Sequence, residues 1–194
     1  MTDAAVLTDS RGPALLALAR ASIALALGRE ADVQPLAPWL NAKGACFVTL
    51  TQGGQLRGCV GGLEARRSLL DNVTGYARAA AFDDPRFDPL SAEEFERTRI
   101  EVSLLSPLEA APAGPEAEAL EWIRPFVDGL ALEWGRHRGT FLPQVWEKLP
   151  EPRRFLGQLK LKAGLPADFW SEDIRLYRYQ VEKWSEPEDG PTTR

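Results

Sequence analysis

From Ala14 to Leu27 the apolar positions place Leu16, Ala19, Ile23 and Leu27 on one stripe, and Pro13 and Gly28 bracket the run as a helix. Two strand-like runs follow, Gly44 to Leu50 and Leu56 to Gly61. Between them Gln52-Gly53-Gly54-Gln55 supplies paired glycines for the positive φ angles of a tight turn, so the segment reads as a β-hairpin. With a two-residue loop, Leu50 pairs with Arg57 and Val48 with Cys59; a one-residue bulge reverses that facing. Ser68-Leu69-Leu70-Asp71 is a capping-box variant opening a second helix. Leu70, Val73, Ala77 and Ala81 share a face of it, and the small alanines permit close packing on a sheet. Asp83-Asp84-Pro85-Arg86-Phe87 ends that helix, because Pro85 biases Asp84 out of the helical region. Ile100, Val102 and Leu104 alternate with Glu101, Ser103 and Leu105 as a strand that Pro107 stops.

Beyond it the pattern loosens. Pro107 to Glu118 reads as an exposed connection, after which a smaller lobe begins, expected within 108–165. Asp128 to Trp134 and Gly139 to Leu142 form a second hairpin around Arg136-His137-Arg138, and Pro143 to Leu149 and Arg153 to Ala163 are short helices. Arg175 to Trp184 alternates as one final strand, and Glu186 to Arg194 is expected to be a disordered tail behind a single domain of residues 1–185.

Composition narrows the class. The 194 residues, 44% hydrophobic and 26% charged, suffice to bury roughly 70% of the unfolded surface without a covalent staple. A net charge of -5 disfavours non-specific binding to nucleic acid or to an anionic membrane surface. The apolar run that ends at Leu27 contains Arg20, is too short to span a bilayer and carries no signal-peptide features, so a cytoplasmic location is expected. Cys46 and Cys59 are then expected to be reduced and unlinked, and they lack the Cys or His partners of a zinc site, so no metal or cofactor is expected.

The candidate chemistry centres on Leu56-Arg57-Gly58-Cys59-Val60-Gly61-Gly62. On an extended strand Arg57 and Cys59 share a face, a guanidinium beside a thiol favours the thiolate, and Gly58, Gly61 and Gly62 admit a ligand or another backbone. The lysine and helix context of a phosphate-binding loop are missing. Each residue also has a plainer reading. Cys59 fits a buried small hydrophobe as well as a reactive thiol. Arg57 fits an anchor for Glu101 or Asp84, Glu101 needs Arg57 or Arg86 if it is buried, and Asp84 with Arg86 can simply fix a loop. His137, between two arginines, reads as a solvated turn residue rather than a base.

Phe47-Val48-Thr49-Leu50, the Leu56–Gly61 motif, Asp84-Pro85-Arg86-Phe87, Ile100-Glu101-Val102-Ser103, Leu105-Ser106-Pro107-Leu108-Glu109, Asp128-Gly129-Leu130, Leu142-Pro143-Gln144-Val145 and Lys162-Ala163-Gly164-Leu165 stand in one order. That order, from about Gly44 to Trp184, resembles the AMMECR-type domain family in its bacterial and archaeal branch, AmmeMemoRadiSam system protein A. The resemblance implies an α+β fold, with a larger lobe on an antiparallel sheet flanked by helices and a smaller lobe packed on it. Lys160 departs from the small or thiol residue often found there, and Trp184 from a phenylalanine. The family has no assigned reaction; its system name reflects gene association with a Memo-type protein and a radical S-adenosylmethionine enzyme. With two cysteines this chain cannot supply the three-cysteine cluster of the radical enzyme itself. Two functions follow from these residues. In one the chain is an accessory component that docks such partners through its glycine-rich face. In the other Cys59, with Arg57 and with Glu101 as acid, base or orienter, acts on a small anionic substrate held by Arg57 and Arg86.

Overall fold

In the computed structural model, residues 4–31 and 37–187 are described. The chain folds as two units. One comprises the residues up to Leu105 with those from Glu182 onward, and the other runs from Ser106 to Val181. The fold is α+β, with two four-stranded antiparallel sheets and five α-helices.

The first unit is built around the expected hairpin. Strand β1 (Ala45–Gln52) turns through Gly53 and Gly54, at φ of 54° and 76°, into β2 (Gln55–Gly61). Gln52 faces Gln55 and Thr51 faces Leu56, as a two-residue loop demands, but the next pair is Leu50 with Gly58. Arg57 is therefore a bulge residue, and the expected Leu50–Arg57 and Val48–Cys59 pairs are replaced by Thr49–Cys59 and Val48–Val60. Strand β3 (Arg99–Leu105) pairs antiparallel with the other side of β1, setting Val102 against Val48 and Glu101 against Thr49. Strand β8 (Val181–Ser185) completes the order β2-β1-β3-β8.

Cys46, Val48, Leu50, Ile100 and Val102, all fully buried, form one face of this sheet. Helices α1 (Ala4–Ala26) and α2 (Leu69–Phe82) pack against that face. Helix α1 begins well before Pro13, which lies inside it, whereas Gly28, at φ 74°, ends the chain's helical path as expected. In α2 the Ser68 hydroxyl accepts from the Asp71 amide, and the buried stripe is Leu69, Val73, Ala77, Ala80 and Ala81, so Leu69 takes the inward place expected of Leu70. The alanines bring α2 so near the sheet that a Cβ on Gly58 would sit 2.1 Å from the Ala80 carbonyl oxygen.

In the second unit, β4 (Glu109–Ala110), β5 (Gly129–Trp134), β6 (His137–Phe141) and β7 (Arg175–Tyr179) form a sheet in the order β4-β7-β5-β6. Helices α4 (Glu116–Trp122) and α5 (Pro152–Lys162) belong to this unit, and α3 (Ala92–Glu96) to the first. The stretch expected as a bare connection thus carries β4 and the start of α4. His137 lies on β6 opposite Trp134, with Gly135 and Arg136 making the turn, and its Nδ1 is 2.9 Å from the Ala163 carbonyl. The single final strand of the sequence reading is two strands in different sheets, parted at Gln180. There Ser106 donates its amide to the Gln180 carbonyl and accepts the Gln180 amide on its hydroxyl. Glu186 is no part of a free tail: it is buried, and its carboxylate receives Arg20 and the Ile100 amide. The rest of the expected tail from residue 188 lies outside the described residues. Among the described residues no helix is long and apolar enough to cross a membrane.

The contact at Gly58 is backbone against backbone, with no flexible group to yield. Gly58→Ala is expected to lower stability by about 1–3 kcal/mol, read as a shift in the urea midpoint at unchanged slope.

Candidate functional site

The bulge decides where Arg57 goes. Its guanidinium donates Nε to Glu94 Oε1 (3.2 Å), and Nη2 to Glu94 Oε2 (3.1 Å) and to the Asp88 carbonyl (2.8 Å). It is an anchor, but for Glu94 rather than for Glu101 or Asp84. Glu94 is at the same time the third residue of α3, where it closes a capping box: its own amide donates to the Ser91 hydroxyl and its carboxylate receives the Ser91 amide. The Arg57 bonds, with help from the Ser91 amide, hold the Glu94 carboxyl down at about 2 from an ordinary 4.5. Ser91-Ala92-Glu93-Glu94 carries the capping signature in the sequence, but nothing there ties it to Arg57.

Asp84 has a different task. Strand β2 is an outer strand, and the Cys59 amide points away from β1, toward the loop after α2. Asp84 Oδ2 accepts that amide at 2.9 Å and Arg86 Nη2 at 2.6 Å, while Oδ1 accepts the Arg86 amide at 3.2 Å and Nε at 2.9 Å. Arg86 Nη2 also lies 3.4 Å from the Cys59 carbonyl. The ion pair therefore covers both polar groups of one edge residue, where a further strand would otherwise bond. These bonds, Arg86 first, press the Asp84 carboxyl far below the usual carboxylate range, and Asp84 in turn raises Arg86.

Because its amide and carbonyl face outward, Cys59 forms a non-hydrogen-bonded pair with Thr49, the arrangement that brings side chains closer. The Thr49 hydroxyl donates to Cys59 Sγ at 3.4 Å, and the thiol is half-buried. A cation beside Cys59 is Arg86, through the contact of its Nη2 with the Cys59 carbonyl. Glu101 is on the far side of Thr49, two strands and about 10 Å from Cys59 along the row. Its carboxylate receives the Ser185 hydroxyl (2.9 Å) and pairs with Lys183 (3.1 Å). The structure thus gathers Cys59, Asp84 and Arg86, sets Arg57 with Glu94, and leaves Glu101 to β8.

The glycines answer to internal packing. A Cβ on Gly61 would lie 2.4 Å from the Phe47 ring and 2.5 Å from the Cys46 carbonyl, and one on Gly62 would lie 2.9 Å from the Tyr76 hydroxyl. Close backbone approach is real, but it is the protein's own. Cys46 is fully buried, and burial pushes its thiol up to about 12; neither cysteine is in a disulfide. Lys160 is fully buried too, donating to Glu116 Oε1 at 2.6 Å and to the Ala167 carbonyl at 2.9 Å, so this departure is a buried cation with partners.

Arg57, Arg86, Pro85, Phe87, Asp88 and Glu94 line an open cleft of about 500 Å³. The two guanidinium carbons stand 5.7 and 5.5 Å from the centre of the Phe87 ring. Among the described residues no three of His, Cys, Asp and Glu converge to hold a metal ion.

The sequence profile of the AMMECR1 family matches residues 16–184. The chain is 38% identical over 202 residues to a protein of Aeropyrum pernix, covering 97% of this chain and 84% of that one. It is 36% identical over 192 residues to Protein MJ0810 of Methanocaldococcus jannaschii, covering 94% of each. The crystal structure of the uncharacterised protein PH0010 from Pyrococcus horikoshii is similar at a TM-score of 0.78 and 36% identity, over 93% of this chain and 94% of that one.

Two measurements bear on this geometry. Glu94 has a lowered carboxyl, so its contribution is complete above the unfolded value of 4.5 and is lost as pH falls toward 2. Glu94→Gln is expected to lower the neutral-pH unfolding midpoint and to flatten its decline across that window; an unchanged profile contradicts the assignment. In the folded protein a thiol reagent is expected to modify Cys59 rapidly and Cys46 only on unfolding, giving two thiols in denaturant without reductant.

Proposed function

We propose that this chain, which belongs to the AMMECR1 family, is a cytoplasmic accessory component, the protein A of an AmmeMemoRadiSam system, acting with a Memo-type protein and a radical S-adenosylmethionine enzyme. The observation that carries the reading is the commitment of the motif's charges to the fold. Arg57 holds α3 through Glu94, and Asp84 with Arg86 covers the Cys59 edge. A nucleophilic cysteine needs a base within hydrogen-bond reach, and Glu101, the candidate for that task, is bonded to Ser185 and Lys183 instead.

A second reading, thiol chemistry at Cys59, draws on its half-burial, the Thr49 hydroxyl at 3.4 Å and the neighbouring Arg86. In that reading Arg86 takes the activating place that sequence spacing gives to Arg57.

Mixing the purified chain with a Memo-type protein and the radical enzyme, and following co-elution and turnover, separates the two. The accessory reading expects a complex, and expects Cys59→Ser to assemble and support turnover as the unsubstituted chain does. Assembly without turnover in that variant gives the thiol reading instead, and failure to associate with either protein overturns the accessory one. Gly61→Val is unsuited as a docking probe, because its side chain would strike Phe47.

A further inference from the structure

The cleft beside β2 holds two guanidinium groups spent on one edge each. Arg57 gives Nε and Nη2 to Glu94, and Arg86 gives Nε and Nη2 to Asp84. That leaves the Nη1 ends. Arg57 Nη1 is buried and has no hydrogen-bond partner, and Arg86 Nη1 makes no hydrogen bond among the described residues, although its side chain is 54% exposed. A buried guanidinium nitrogen without an acceptor is costly, and one at the wall of a cleft calls for an acceptor brought from outside.

The charges around the cleft choose among acceptors. Arg57 and Arg86 are each matched by a carboxylate, Glu94 and Asp84, and Asp88 adds an exposed carboxylate that bonds to nothing among the described residues. Asp84 is buried and outside the lining, so the lining itself balances two arginines against the carboxylates of Glu94 and Asp88 and suits a ligand with no net charge. A dianion such as inorganic phosphate meets two carboxylates there and no surplus of positive charge, and a simple cation leaves both Nη1 ends unserved. A ligand carrying one carboxylate and one ammonium meets both demands, with its carboxylate on the arginine ends and its ammonium on Asp88. Phe87 and Pro85, also in the lining, offer apolar surface for a hydrocarbon side chain. We infer that this cleft binds a small zwitterion of the α-amino acid class, gripped between the Nη1 ends of Arg57 and Arg86 and the carboxylate of Asp88.

The inference goes beyond the accessory role and does not require it, since the ligand is bound by the isolated chain. Calorimetric titration of the whole chain with L-leucine tests it, with acetate, methylammonium and inorganic phosphate as controls. Saturable one-to-one binding of leucine is expected, with each control weaker by about tenfold or more, the difference that goes with one charge-assisted hydrogen bond. Asp88→Asn changes an exposed side chain with no bond to lose, and is expected to weaken leucine by a similar factor while leaving the unfolding midpoint in place. Arg86→Gln is expected to weaken it as well. Cys59→Ser, outside the cleft lining, is expected to bind leucine unchanged. No heat with leucine, phosphate binding as tightly as leucine, or full affinity in Asp88→Asn each overturns the proposal. Failure of the chain to join its partner proteins leaves these titrations unaffected, so the two readings fail separately.

Discussion

An outer β-strand presents a row of amides and carbonyls with no strand to bond, and here a carboxylate takes up the place of one. Asp84 is buried, yet both its oxygens are filled: the Cys59 amide and three donors of Arg86 use the roughly four acceptor sites a carboxylate has. The cost of taking the charge from water is offset by bonds that no neutral side chain reproduces, since an amide in its place accepts on one oxygen only and turns a donor toward other donors. Everything else near the site inherits its position from this clasp. It fixes the loop after α2, and so carries Arg86 to the Cys59 backbone and Phe87 to the cleft.

A second constraint works on the other face of the same strand. Gly58 lets the Ala80 carbonyl come where a side chain would stand, while Gly61, three residues on and so facing the opposite way, does the same for Phe47. With α2 this close behind β2 and the Asp84–Arg86 pair along its edge, the strand is held from two directions. The bulge at Arg57 then turns a regular ladder into an anchor point. It frees one residue from the pairing, and that residue's long side chain reaches the capping carboxylate of α3. A helix of five residues has little stability of its own, so a charge-assisted tie to the sheet matters to it more than propensity does.

Local signals were legible where one segment carried all the information. The glycine pair of the hairpin turn, the Ser68 cap and the alternation of β3 at Ile100 and Val102 needed no knowledge of distant chain, whereas the inward face of α1 carries Leu15, Ala19 and Ile23 and leaves Leu16 and Leu27 only partly buried. Register was not legible, because a bulge is a choice made by what lies across the sheet, and Glu94 is 37 positions away from Arg57. The alternation from Arg175 to Trp184 was equally genuine, but period two says that residues are extended and not which sheet they extend in. Ser106 and Gln180, bonded to each other at the two ends of the second unit, make that division, and no pattern in either segment announces it.

The same logic sorts the motif residues by what they have left to give. Glycines, Asp84 and Glu94 are fully used by the fold, so changing them alters the scaffold before it alters any chemistry. Glu101 is used by β8, and so cannot serve a thiol two strands away. What the fold leaves unspent is small: the half-exposed Cys59 sulfur with one hydroxyl bonded to it, the Nη1 ends of two arginines, and the free carboxylate of Asp88. Residues that hold a framework have no spare bonds, and residues that meet a ligand must keep some. By that criterion the binding capacity of this unit lies in the cleft over Phe87, and the glycine-rich strand beside it is the support that keeps the cleft in shape.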